Sequence, residues 1–190
     1  MTPEKQPQIA ACDSHVLMWA LPWAMSSSKK RKKIPQDVAE MRRRARILLQ
    51  MFDEQKIELC VPSVVVSELL AGVDPSKHAN VLANFEQRFF CPPFDLKACA
   101  LAAKLWQFER GLKGTSSGLP QAERTERRLL KSDILIVASA KVAGASLFYS
   151  HEKKCRRLAE QAGMKAEDLP ESSGNILTDL AIQEDEAEEA

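Results

Sequence analysis

QIAACDSHVLMWA, from Gln8 to Ala20, sets a short apolar run ahead of an acid and an apolar helix start behind it. Gln8–Cys12 is too short for a core helix and almost wholly apolar, so it reads as a strand buried on both faces. Asp13 follows, and Val16, Leu17, Met18, Trp19 and Ala20 continue as a buried helix. The pattern recurs downstream. Ile57–Val61 (IELCV) is a second strand that Pro62 stops, with Ser63 capping a helix through Val66, Leu69 and Leu70 to Gly72. Ala145–Tyr149 (ASLFY) is a third, followed by a helix from Glu152 to Ala162 that Gly163 ends.

The intervening segments are helical. From Pro35 to Phe52, Val38, Met41, Ala45, Leu48, Leu49 and Phe52 recur at helical spacing, leaving Arg42, Arg43, Arg44 and Arg46 on the other faces. A further helix spans Asp74 or Pro75 to Phe90, Cys91–Phe94 is extended, and Asp95 caps a helix to Arg110. Lys113–Gln121 is a glycine- and serine-rich loop, and Arg124–Val142 is helical, with Ser132 or Asp133 just ahead of the apolar run Ile134–Ala138. Helices alternating with short apolar strands predict an α/β sandwich around a mainly parallel sheet, with ligands beyond the carboxyl ends of its strands. Asp13, Glu68 and Glu152 each follow a strand, so three acids point toward one crevice.

The 190 residues carry 27 Lys plus Arg, 26 Asp plus Glu and a formal charge of +1. That near-neutrality hides an asymmetry, because every basic residue precedes Ala166 and nine acids follow Lys165. The body is therefore 27 − 17 = +10 and the tail −9. At 45% hydrophobic and 28% charged the composition is that of a globular domain with short extensions. Five scattered cysteines, Cys12, Cys60, Cys91, Cys99 and Cys155, form no CxxC pair, which predicts neither zinc nor a disulfide framework and suits a cytoplasmic setting. The apolar stretch Ile9–Met25 is broken by Asp13, Ser14 and His15, so no membrane span is expected.

Asp13, Glu68, Asp133 and Glu152 each follow or head an otherwise apolar element, where an unpaired carboxylate is costly to bury. Meeting, they would repel one another and call for a divalent cation. Oxygen ligands favour Mg²⁺ or Mn²⁺, and His15, His78 and His151 lack zinc spacing. Such a cluster can activate water against a phosphodiester. Three of the acids also have a plain structural reading: Asp13 as a cap, Glu68 as a solvated helix residue, Asp133 as a partner of a helix N-terminus.

The runs ACDSHVLMWAL, VPSVVVSELLAG, CPPFDLKACALAAKLW and KSDILIVASAKVAGASLFYSHEKKCRRLAEQAG together resemble the successive blocks of PIN-domain ribonucleases. The resemblance is greatest to the VapC-like toxin nucleases of toxin–antitoxin pairs, and it covers Gln8 to Leu169. It implies a three-layer α/β/α sandwich with about five central strands, an acidic Mg²⁺ or Mn²⁺ site and cleavage of RNA to 5′-phosphate and 3′-hydroxyl ends. It assigns Asp13, Glu68 and Asp133 as acids of that site and places Ser14 and Ser150 at hydroxyl positions beside the metal. The fourth acid, an aspartate in the family, is here Glu152, one methylene longer. An antitoxin and a second copy of the chain are the partners implied.

The domain so defined runs from 8 to 169, with a basic segment at 26–46 and an acidic tail at 170–190. Residues 26–46 hold nine basic and two acidic side chains. Lys29, Lys30, Arg31, Lys32, Lys33, Arg42 and Arg43 there, Arg127, Arg128 and Lys131 before Asp133, and Lys153 and Lys154 after Glu152 are candidates for holding an RNA backbone. Trp23 is the exposed candidate for base stacking, whereas Trp19 and Trp106 fall in core patterns. Two alternatives remain open: a PIN-like binding module without catalysis, and a nuclease of DNA or structured RNA.

Overall fold

The computed structural model describes residues 8–21, 35–113 and 121–171, with backbone alone at 110–113 and 121–130. The basic run Lys29–Lys33, Trp23, the loop 114–120, the side chains of Arg127 and Arg128, and the tail from 172 lie outside the described residues.

The elements in chain order are β1 (Ile9–Cys12), α1 (Ser14–Ala20), α2 (Gln36–Gln55), β2 (Glu58–Cys60), α3 (Ser63–Leu70) and α4 (His78–Arg88). They continue with α5 (Leu96–Lys113), α6 (Gln121–Val142), β3 (Leu147–Tyr149), α7 (Lys153–Gln161) and β4 (Lys165–Glu167). The sheet is parallel throughout, in the order β2-β1-β3-β4, with Ala10 opposite Leu59 on one side and opposite Leu147 on the other. In β1, consecutive side chains point to opposite faces, yet Ala10, Ala11 and Cys12 are all essentially inaccessible. Both faces of the sheet are therefore covered, as a three-layer sandwich requires.

Several boundaries differ from the sequence expectation. Among the described residues the sheet has four strands, not about five, and Phe90 extends it past β2 by only a single bridge to Cys60. The fourth, β4, was not expected as a strand: Lys165-Ala166-Glu167 lacks an apolar run because it lies at the sheet edge, where Lys165 is exposed. The helix expected from Asp74 or Pro75 opens as a 3₁₀ turn, Pro75–Lys77, whose cap Asp74 accepts the Ser76 N–H. Ser63 is not the cap of α3 but its first residue, following Pro62. Pro35 precedes α2 instead of occupying its first helical position. Asp95 does cap α5, its Oδ1 accepting the Ala98 N–H at 2.8 Å.

The core is filled by Leu17, Leu48, Phe52, Val65, Phe85, Ile136, Phe148 and Leu158, all 2% exposed or less. Within α6, Ile134 and every residue from Ile136 to Ala140 are buried, so this helix is enclosed nearly all round. Asp133 stands at the edge of that enclosed stretch, which sets up its electrostatics.

Candidate active site

Strand order reverses between β1 and β3: the chain leaves β1 toward β2 on one side and returns to β3 on the other. In parallel sheets such a reversal opens a crevice beyond the carboxyl ends of the strands. The residues that come next are Asp13 after β1 and Ser150, His151 and Glu152 after β3. The Asp13 N–H donates to the Tyr149 carbonyl at 3.3 Å and the Ser150 N–H to Glu167 at 3.1 Å, carrying the ladder up to the crevice floor.

Asp13 is 3% exposed. Its Oδ1 caps α1 by accepting the Val16 N–H at 2.9 Å, and its Oδ2 accepts the Ser150 hydroxyl. It is thus a helix cap and a site residue at once. Ser150, fully buried, also accepts the Glu152 N–H at 3.0 Å, so one hydroxyl ties the β1 acid to the start of α7. Burial drives the Asp13 carboxyl above the usual carboxylate range, against the lowering effect of the Ser150 and Val16 bonds. Ser14, 8% exposed, opens α1 beside it.

Glu68, on α3, accepts the Ser132 hydroxyl from α6, which draws it toward Asp133 and away from the solvated position a helix glutamate ordinarily takes. Asp133 lies in the middle of α6, so a helix N-terminus plays no part in its setting. Burial, then the charges of Glu152 and Asp13, raise it to about 7; Lys154 opposes the rise and Glu68 adds to it. Four acids from four elements therefore act on one another here. Glu152 sits at the N-cap position of α7, about half exposed, with Oε1 3.7 Å from His15 Nδ1.

Mutually repelling oxygens, two of them favouring the protonated state through burial, are a donor set that suits a hard divalent ion. Asp13 and Asp133 would be its holders, with Glu152, whose charge acts on both, and Glu68 beside them. Among the described residues, no three His, Cys, Asp or Glu side chains stand close enough to grip one ion as they lie. The acids surround Asp133 without meeting at a point.

Of the basic candidates, Lys153 and Lys131 are exposed and Lys154 is half-buried near Asp133. The Lys131 ammonium lies 5.8 Å from the Trp106 ring centroid. The arginine side of α2 is less open than expected: Arg42 and Arg43 are half-buried, and Arg43 bonds Glu40 at 2.9 Å. Trp19 and Trp106 pack against the core as the periodicity implied. Cys12 is no nucleophile, since burial and the adjacent Asp13 push its thiol far up. A groove of about 410 Å³ at the β2 edge is lined by Phe52, Leu59, Phe89 and Phe90, among others, and by none of the four acids.

Two networks were not expected from the sequence, where Arg156 and Arg157 count only as basic residues flanking the acids. Arg156 donates from Nη1 to the carbonyls of Ser150 (2.6 Å) and His151 (2.9 Å) and lies 3.3 Å from Asp168, so it holds the crevice loop by its backbone. Asp168 also accepts the Leu169 N–H at 2.7 Å and lies 3.1 Å from His151 Nδ1. Burial would raise its carboxyl, but these bonds and the Arg156 charge outweigh that and lower it. Arg44 of α2 completes the assembly, donating to the carbonyls of Leu169 and Pro170, the latter at 2.9 Å. The second centres on Glu109 of α5, 1% exposed, with one oxygen on Arg157 and the other without a hydrogen-bond partner among the described residues. It was visible in principle: Ala98, Ala102, Leu105 and Glu109 share one buried helix stripe.

A parallel sheet in this order, enclosed by helices on both faces, is an α/β sandwich like that of solved VapBC structures. No family model and no curated protein matches the chain. The likeness is to solved VapBC complexes. One is VapBC2 from Rickettsia felis bound to a DNA fragment from their promoter, with a TM-score of 0.52 at 16% identity, covering 86% of this chain and 100% of that one. Another is DNA-bound VapBC from Salmonella typhimurium, with a TM-score of 0.50 at 16% identity over 86% and 99%. At such identity the likeness is one of fold. No helix among the described residues is long and apolar enough to cross a membrane.

Proposed function

We propose that the protein is a metal-dependent endoribonuclease of the VapC kind, the toxin of a toxin–antitoxin pair acting in the cytoplasm. The observation that carries this reading is the gathering of Asp13, Glu68, Asp133 and Glu152, from four separate elements, around the crevice at the strand reversal. Bound Mg²⁺ or Mn²⁺ would supply the charge that activates water and offsets the growing charge on a phosphodiester. Asp13 and Asp133 would hold the ion directly. Ser150 fixes one Asp13 oxygen, and a bound ion would displace the proton that burial and the neighbouring acids favour on Asp133. Lys131, Lys153 and Lys154 would hold the RNA backbone. The VapBC likeness supports an antitoxin partner, and a homodimer belongs to the same reading.

The test is incubation with RNA and with single- and double-stranded DNA, under Mn²⁺, Mg²⁺ or chelator. Wild type should cleave RNA only with metal, and Asp13→Asn and Asp133→Asn should each abolish cleavage while remaining folded. Cleavage that survives both substitutions in chelator would overturn the mechanism. A second reading, a catalytically silent binding module, is favoured by the absence of a three-ligand grip among the described residues and by the exposed Glu152. In that case Mn²⁺ should give no thermal stabilisation sensitive to Asp13→Asn.

A further inference from the structure

Three rings stand together at the mouth of the acid site. The His15 ring centroid lies 5.9 Å from that of Trp19, with the planes tilted by 36°. The His151 centroid lies 6.3 Å from the same indole, nearly edge-on at 68°. Each ring is held by something different. His15 Nδ1 faces Glu152 at 3.7 Å, and His151 Nδ1 faces Asp168 at 3.1 Å. Trp19 packs against the core. The two imidazole side chains are nonetheless 48% and 47% exposed. A core packing role does not need two half-exposed rings, and a solvated surface does not need His151 held by a hydrogen bond to Asp168.

Half-exposed π surfaces beside a phosphodiester-directed site match the flat face of a nucleobase. Stacking on aromatic side chains is strong and tolerant of base identity, and it requires a base free of its duplex stack. Because His15 pairs with one of the four acids, a strand whose phosphate reaches those acids brings an adjoining base to the rings. We propose that His15, Trp19 and His151 form a stacking subsite for one unpaired base next to the phosphate to be cleaved. This rests on the nuclease reading above. Trp19 is set by the core and His151 by Asp168 before binding, which lowers the ordering cost.

The experiment uses the full chain carrying Asp133→Asn, so that RNA is bound without being cut, and measures fluorescence anisotropy in Mg²⁺. The probes are labelled six-nucleotide single-stranded RNAs with one abasic site walked along the strand. His15→Ala should weaken binding about tenfold, and His15→Phe, which keeps a ring, should recover most of it. One abasic position should cost the parent about as much, with no further loss when combined with His15→Ala, because both remove the same contact. His151→Ala should behave like His15→Ala. Equal affinity of parent and His15→Ala, or a loss that ignores the abasic position, overturns the subsite alone. A chain that binds none of these RNAs, and whose wild type cuts none, overturns the subsite together with the nuclease reading.

Discussion

Asp133 is the residue whose chemistry is most altered by its place in the fold. Its folded value of about 7 exceeds the ordinary 3.8, so the folded chain takes up a proton before the unfolded chain does. Without metal, Asp133 therefore destabilises the protein fully above pH 7, and the penalty fades as pH falls through 7 and vanishes below about 4. In chelator, Asp133→Asn should be more stable than wild type at pH 8 by about 2–4 kcal/mol, with the gap falling to less than half by pH 5 and closing only below about pH 4. Urea denaturation at the two values tests this, and a gap independent of pH would count against it. Metal binding should strengthen with pH over the same window, since the ion competes with that proton. A second residue-scale expectation concerns Glu109. Arg157→Ala takes from a buried carboxylate its one partner among the described residues and should cost about 2 kcal/mol in thermal or urea unfolding. Replacing Glu109 by Met as well should recover most of that loss.

The loop between β3 and α7 shows how an element is positioned by residues outside it. Arg156 grips two of its carbonyls, and Asp168, beyond β4, braces Arg156. Arg156→Met should lower cleavage tenfold or more by releasing Ser150 and Glu152, for about 1–2 kcal/mol of stability. Measuring kcat and KM separately checks it, and loss of stability with unchanged kcat would contradict the positioning role. None of this network could be read from the chain, because Arg44 and Asp168 are far apart in sequence and each looks like an ordinary surface charge. What could be read were β1, α1, α3 and β3, where a short apolar run meets an acid, a proline or a glycine. β4 was illegible for the opposite reason, an edge strand of Lys165, Ala166 and Glu167 having no apolar signature to display.

Over the whole molecule, the near-zero charge divides between a basic body and an acidic end. Residues 172–190 hold six acids and no base, and the chain enters them immediately after Leu169 and Pro170, which Arg44 ties to α2. Truncation after Glu171 keeps that anchor and should tighten RNA binding at low salt, with a steeper dependence on salt. Affinity and salt slope unchanged from the full chain would remove the tail from any such role. Four acids at distant positions were legible as candidates, through the apolar context of each, but their gathering depends on strand order, which no local pattern states. That gathering also has a consequence in time. The Asp13–Ser150 bond joins residues 137 apart. At roughly 5–20 residues per second on the ribosome, many seconds separate the emergence of its two halves. A nascent chain holds Asp13 and Glu68 without Asp133, Ser150 or Glu152, so an RNA-cutting activity at this site would be silent beside the translation machinery until Glu152 has been made and has left the ribosome.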